Sequence, residues 1–134
     1  MAELPEKAKQ LLGEKTFVHL ATLMPDGSPQ VSPVWVDTEG DLIVVNTAEG
    51  RAKPRNMRKD GRVAISATHP ENPYVSVLVR GRVTDITTED ADQHIDALAK
   101  KYMGLDEYPL RRPDEVRLKV YITPESVFVM DPDG

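Results

Sequence analysis

At 134 residues without a cysteine, the chain has the size of one domain with its own core, and disulfide frameworks, thiolate metal sites and cysteine nucleophiles are excluded. Its formal charge of −5, from 17 Lys+Arg against 22 Asp+Glu, argues against general nucleic-acid binding, which needs a broad positive surface. No apolar run approaches a membrane span, and Met1-Ala2-Glu3-Leu4-Pro5-Glu6 lacks the basic start and apolar centre of a signal peptide, so a soluble cytoplasmic protein with no membrane partner is expected.

Pro5 to Leu12 carries Ala8, Leu11 and Leu12 on one side, between a proline start and Gly13. This reads as a short amphipathic helix that lids one end of a barrel. Phe17 to Leu23 alternates as a strand and ends at Pro25-Asp26-Gly27-Ser28, a turn with proline at the fixed-φ position and glycine where φ becomes positive. Pro29 to Asp37 is its hairpin partner. Pro33, inside that strand, cannot donate to a ladder, so it must lie at an edge, at a bulge or facing something else, such as a flat ligand. Leu42 to Thr47 is a continuous β-branched run typical of a buried strand, and the first three strands are expected to form an antiparallel meander.

The stretch Glu49-Gly50-Arg51-Ala52-Lys53-Pro54-Arg55-Asn56-Met57-Arg58-Lys59 follows, reading as a turn and a helix start. Gly50 supplies a joint, and Pro54 is tolerated in a first turn whose N–H groups have no intrahelical partner. Arg51, Lys53 and Arg55 add three charges to the positive end of the helix dipole, and phosphate is the ligand that best uses Arg forks together with backbone N–H groups. A solvated basic face is the alternative reading, because no glycine-rich dinucleotide or P-loop fingerprint is present.

Arg62 to Thr68 is a further strand, and His69-Pro70-Glu71-Asn72-Pro73 a turn-rich loop. Tyr74 to Ile86 alternates over a long strand, with Val75, Val77 and Val79 on one side, Ser76, Leu78, Arg80 and Arg82 on the other, and a bulge or bend expected at Gly81. Thr87-Thr88-Glu89-Asp90 offers hydroxyls and acids to the start of a helix whose apolar stripe is Ala91, Ile95, Leu98 and Tyr102, stopping at Gly104. Leu105 to Glu115, with Pro109 and Pro113, is a loop able to serve as a lid or a dimer contact. Val116 to Thr123 and Ser126 to Met130 read as two strands joined by Pro124-Glu125. Seven strands with two or three helices predict one mainly β, α+β domain over 1–134, a closed or nearly closed antiparallel barrel.

His19, His69 and His94 have no metal-type spacing and read as surface or core-edge residues. Asp90, Asp92 and Asp96 read as a solvated helix face. Trp35 is assigned to burial in a core or interface, with stacking against a substrate as the alternative, Tyr102 to the core, and Tyr108 to covering a cleft or packing at a dimer edge.

The order of parts resembles the pyridoxamine-phosphate-oxidase-like split β-barrel family, whose members bind flavins or deazaflavins. The segments that carry the resemblance are Leu20-Ala21-Thr22, Asp26 through Trp35, Gly50-Arg51-Ala52-Lys53-Pro54-Arg55-Asn56 with Asp60, and Val79-Arg80-Gly81-Arg82-Val83. Together they resemble the coenzyme F420-dependent oxidoreductase branch over essentially the whole chain. The resemblance implies an antiparallel split β-barrel that forms a homodimer with cofactor clefts at the subunit interface. It implies hydride transfer between F420 and a small planar organic substrate, with an FMN-dependent oxidoreductase as one alternative and a non-catalytic cofactor- or haem-binding module as another.

Carried onto matching positions, Arg51, Lys53 and Arg55 would hold the cofactor phosphate, with Thr47 at the preceding strand end. Ser32, Pro33 and Val34 would border the ring system, and Tyr74 or the strand after it would come from the partner subunit. No catalytic side chain is implied, since the cofactor ring carries the hydride. The tail Val127-Phe128-Val129-Met130-Asp131-Pro132-Asp133-Gly134 lacks the Arg/His set of true pyridoxamine-phosphate oxidases, so vitamin B6 oxidation is not the expected activity. Cations near the cleft would favour F420, which carries an acidic glutamate tail, over FMN.

Overall fold

The computed structural model describes residues 2–132; Met1 and the tail residues Asp133 and Gly134 lie outside the described residues. The elements in chain order are α1 (Glu6–Gly13), β1 (Val18–Leu23), β2 (Pro29–Val34), β3 (Val36–Glu39), β4 (Leu42–Ala48), α2 (Ala52–Lys59), β5 (Arg62–Thr68), β6 (Ser76–Thr87), α3 (Ala91–Met103) and β7 (Arg117–Met130). The strands form one sheet in the order β2-β1-β5-β6-β7-β4-β3, and all neighbours are antiparallel.

That order dictates the shape. β2 and β3 lie at opposite ends of the sheet, yet only Trp35 separates them in sequence. In a flat sheet six strand spacings of ~4.8 Å would part them by roughly 29 Å, whereas two residue steps reach at most ~7 Å. The sheet therefore curls until its edges nearly meet, as an antiparallel split barrel.

The strand expected over Pro29 to Asp37 is thus two strands, β2 paired with β1 and β3 paired with β4, and the expected three-strand meander is instead two separate hairpins. Pro33 sits on β2, an edge strand, so its missing N–H removes no sheet bond on the open side.

A second difference lies at the C-terminus. The two strands expected around Pro124-Glu125 are one, β7, because its partner accommodates the proline: β6 shifts register between Arg80 and Gly81, and Gly81 faces Pro124. A Cβ on Gly81 would lie 2.7 Å from the Thr123 carbonyl oxygen, so glycine is required for the strands to approach this closely.

At α3 the expected side-chain cap is absent. Asp90 occupies the left-handed region at φ 58° without capping, and Thr87 Oγ1 instead accepts the Glu89 N–H at 3.0 Å in the preceding turn. The expected stop at Gly104 is found, with φ 73°.

The inward-facing residues of the barrel, among them Val18, Leu20, Ile43, Val45, Ile65, Val79 and Ile122, form the main core. α1 inserts Leu11 and Leu12 into the same core and packs on β3, β5 and β6, closing one end as its pattern predicted. The apolar stripe of α3 builds a smaller cluster of Ile95, Leu98 and Tyr102 with Trp35 and Tyr108 packed against it. Among the described residues no helix is long and apolar enough to cross a membrane.

Gly81→Ala should lower unfolding free energy by about 1–3 kcal/mol, because a methyl group must displace backbone. Gly13→Ala, where an added Cβ meets nothing within 4 Å, should leave stability level or slightly higher. Urea denaturation of both variants checks the contrast, and equal losses would remove the close-approach argument.

Candidate functional site

β4 ends at Ala48, and Gly50, at φ 86°, turns the chain into α2. Arg51 is the N-cap residue and makes no side-chain cap, so the first-turn N–H groups have no such partner, and Pro54 sits within that turn. The helix is held by its opposite face. Asn56, fully buried, donates from Nδ2 to Thr22 Oγ1 at 3.1 Å and to Gln30 Oε1 at 3.3 Å, and Met57 enters the main core. This tether turns Lys53 toward β2, where its Nζ donates to Ser32 Oγ at 2.9 Å. Burial, with Arg51 nearby, pushes the Lys53 pKa below the ordinary lysine value.

Beside this contact lies a groove of about 330 Å³, within the usual range for small-molecule sites. Pro33, Val34 and Trp35 supply one wall from the β2–β3 junction, Arg51 and Lys53 line it from α2, and Ile95, Leu98 and Met103 line it from α3. Trp35 stacks on Tyr102 with ring centroids 5.2 Å apart and planes 4° from parallel, while Tyr108 meets Trp35 edge-on at 6.1 Å. A second compartment of about 650 Å³ adjoins it through Arg51, Tyr108 and Leu110, and is bordered by Glu49, Arg112, Asp114 and Glu115.

Asn46 and Arg117, members of a polar network beneath the groove, form part of its floor. Arg117 donates from Nε to Asn46 Oδ1 at 2.9 Å and from Nη1 to Glu115 Oε1 at 3.0 Å, with its guanidinium 5.2 Å from the Tyr108 ring centre. Asn46 Nδ2 donates to the Ala91 carbonyl at 2.9 Å and to His94 Nδ1 at 3.0 Å. That assignment makes Nδ1 an acceptor and places the imidazole proton on Nε2, which is buried without a hydrogen-bond partner. Burial first, and the charge of Lys119 second, outweigh Asp37 and Glu39 and pull the His94 pKa down to about 4.

The loop between α3 and β7 is strapped over the groove. Tyr108 N–H donates to Asp96 Oδ1 at 2.9 Å, and Arg111 forks to Asp92 and Asp96. Asp90 and Asp92 lie on an exposed helix face, as expected, and Asp92 and Asp96 also anchor the strap, while Tyr108 lines the cleft.

Of the residues singled out in the sequence, Pro33, Val34, Arg51 and Lys53 line the groove, and Ser32 is joined to it through Lys53. Thr47 is 1% exposed, does not line the groove, and its Oγ1 has no partner. Arg55 is exposed on α2 outside the groove, and Tyr74, 72% exposed, lies outside it in this chain. Asn46, Arg117 and Glu115 were missed. Their signal was polarity inside apolar runs: Asn46 interrupts Leu42 to Thr47, and Arg117 and Lys119 alternate with Val116, Leu118 and Val120. Among the described residues no group of three His, Asp or Glu is placed to hold a metal ion.

The model of the pyridoxamine 5'-phosphate oxidase family matches residues 4–132. The chain belongs to that family. Among solved structures it is similar to an F420 reductase, at 31% identity and a TM-score of 0.81, covering 92% of this chain and 98% of the other. It shares its fold with a conserved hypothetical protein from Mycobacterium tuberculosis (20% identity, TM-score 0.76, covering 98% and 85%). HupZ from Group A Streptococcus has the same fold (19% identity, TM-score 0.67, covering 96% and 94%). The family and the fold expected from the sequence are thus found.

Because His94 is neutral in the folded protein and protonates readily when unfolded, the unfolded chain binds more protons between pH 6.5 and 4. Stability contributed by the neutral ring should be present above pH 6.5 and fall, by about 3 kcal/mol, as pH drops toward 4. His94→Gln should flatten that part of a stability–pH profile measured by denaturation, and an unchanged slope would exclude His94 as its source.

Proposed function

We propose that this protein is a cytoplasmic F420-dependent oxidoreductase, a homodimer that exchanges a hydride between the deazaflavin and a small planar organic acceptor. The observation that carries the reading is the Lys53–Ser32 contact. It brings the cationic start of α2 against the β2 segment that borders an aromatic groove, so an anionic tail and a planar ring have adjoining places. The donor set fits such a group: Arg51, Lys53 and uncapped N–H groups suit a phosphate, while Trp35, Pro33 and Val34 suit a ring.

When bound, the deazaflavin supplies the hydride chemistry. The chain's part is to bind and orient. Arg51 and Lys53 would fix the phosphate, with Arg55 at the helix surface as a further cation. Pro33 and Val34 would limit ring movement, and Tyr108 and Leu110 would shield the cleft from water. Thr47, behind the strand end, would support the turn instead of touching the ligand.

The homodimer reading is supported by one face of the sheet. The registers place Val31, Ala21, Ala64, Leu78 and Phe128 on the outer face of β2, β1, β5, β6 and β7. Val31 is 64% and Phe128 54% exposed, and Met130 extends the patch. Such a patch suits an interface between copies, and along β2 it runs from Val31 to Pro33, a groove wall. Tyr74, at the same end of the sheet as Met130, would meet the partner subunit.

Titration with F420 and with FMN tests the cofactor: binding of F420 tighter than about 1 mM supports the reading, preferred FMN and a yellow protein would redirect it to a flavin enzyme, and neither would end it. Tight binding with no reduction across a panel of enones and quinones would leave a cofactor-binding module. Arg51→Ala with Lys53→Ala should weaken cofactor binding by about 2–4 kcal/mol with the fold intact. Light scattering should give the mass of two chains, and Phe128→Asp with Leu78→Asp should yield one; a wild-type monomer would remove the shared cleft.

A further inference from the structure

Glu115 occupies an unusual place beside the cation cluster. Its Oε1 accepts from Arg117 Nη1 at 3.0 Å, while its Oε2 lies 3.8 Å from Arg51 Nη2. The two arginines differ in freedom: the Arg117 side chain is 3% exposed and that of Arg51 is 50% exposed. Arg117 therefore holds the carboxylate from behind, and letting it go would leave a buried guanidinium without its counter-ion. Glu115 is 10% exposed, so solvent screens its charge little; Arg117 offsets part of that charge on one side, and the other oxygen stays next to Arg51 whatever Arg51 binds. Around Arg51 the second compartment adds Asp114 and Glu49 against Arg112, and Glu49 is already engaged by Arg58 at 2.6 and 3.0 Å.

An anion arriving at Arg51 thus meets a cation and, beside it, a fixed negative charge. The attraction grows with each charge on the ligand, and so does the repulsion from Glu115. A bare Arg/Lys cluster would favour the dianion of a phosphate monoester over the single charge of a phosphodiester. Glu115 works against that preference. We propose that Glu115 is a specificity-determining residue that makes the α2 anion site a receptor for singly charged phosphodiesters and selects against doubly charged phosphomonoesters.

This rests on the cofactor reading above, and it names what would separate the two candidates there. F420 presents its phosphate as a diester, whereas FMN presents a monoester. Glu115 acts by charge and touches no reacting atom. Gln at this position keeps an oxygen acceptor for Arg117 while removing the charge.

The probes are FMN and its 5'-methyl ester, which share one ring and differ by one phosphate charge, with F420 as the third. Each is titrated against wild type, Glu115→Gln, Arg51→Ala and the double variant. Glu115→Gln should tighten FMN about tenfold and the ester no more than about threefold, and the shift in their ratio should shrink when Arg51 is already alanine. An equal change for both probes, or an undiminished shift in the Arg51→Ala background, would overturn the assignment.

Wild type alone supplies a second readout that needs no variant to fold. Lowering pH from about 7.5 to about 5, across the phosphate's second pKa near 6, should tighten FMN relative to the ester, whose own response reports titration of protein groups. Relative weakening of FMN would mean that the dianion is preferred, and would overturn the proposal. Failure of wild type to bind FMN, the ester or F420 would overturn the cofactor reading with it; binding with an unchanged ratio would overturn the role of Glu115 alone.

Discussion

The architecture depends on how the chain satisfies backbone groups at the seam where β2 hands over to β3. β3 is an edge strand, and its first residue, Val36, turns an N–H and a carbonyl away from the sheet. α3 meets both. Tyr102 Oη accepts the Val36 N–H at 3.3 Å and donates to the Thr16 carbonyl at 2.7 Å, while Lys101 Nζ donates to the carbonyls of Val36 at 2.8 Å and Leu12 at 2.7 Å. Unpaired, each of those buried groups would cost about 1–3 kcal/mol. The same Tyr102 ring carries Trp35, so the helix that seals the seam also sets the aromatic wall of the groove.

From that seam the site follows outward. Closing the sheet brings the end of β2 near the end of β4, and the turn at Gly50 then points α2 across the opening. Asn56 fixes the helix from beneath by side-chain bonds to β1 and β2, leaving Lys53 and Arg51 on the groove side. Its Oδ1 is buried with no partner, as is Thr47 Oγ1, so the support of the cation cluster carries uncompensated polarity. On the far side Arg117 and Asn46 knit β4 and β7 to the first turn of α3 through Ala91 and His94. The groove is thus built where three separately held elements converge.

Much of this was readable in the residues, and the failures have physical causes. Hydrophobic periodicity located α1, β1, β5, β6 and α3 closely, because each buries one regular face, α1 and the strands in the main core and α3 in the smaller cluster. The strand count of seven was right for compensating reasons: one expected strand is two and two expected strands are one. Trp35 is as β-compatible as its neighbours, so nothing local marks the place where the chain leaves one edge and joins the other. Pro124 reads as a breaker unless the bulge at Gly81, forty-three positions earlier, is known to face it. Cation positions at the start of α2 were visible as a cluster, but the Arg117–Asn46–His94 network joins residues up to 71 apart, so the polar interruptions at Asn46 and Arg117 did not show that they meet.

The protected seam has a consequence for life at high concentration. A sheet with two ends ordinarily offers two rows of free donors and acceptors onto which another chain can add a strand. Here one end carries Pro29 and Pro33, which lack donors, and at the other the side chains of α3 occupy Val36. Association between copies is steered away from strand addition and toward contacts made by side chains, which can be ordered, finite and reversible.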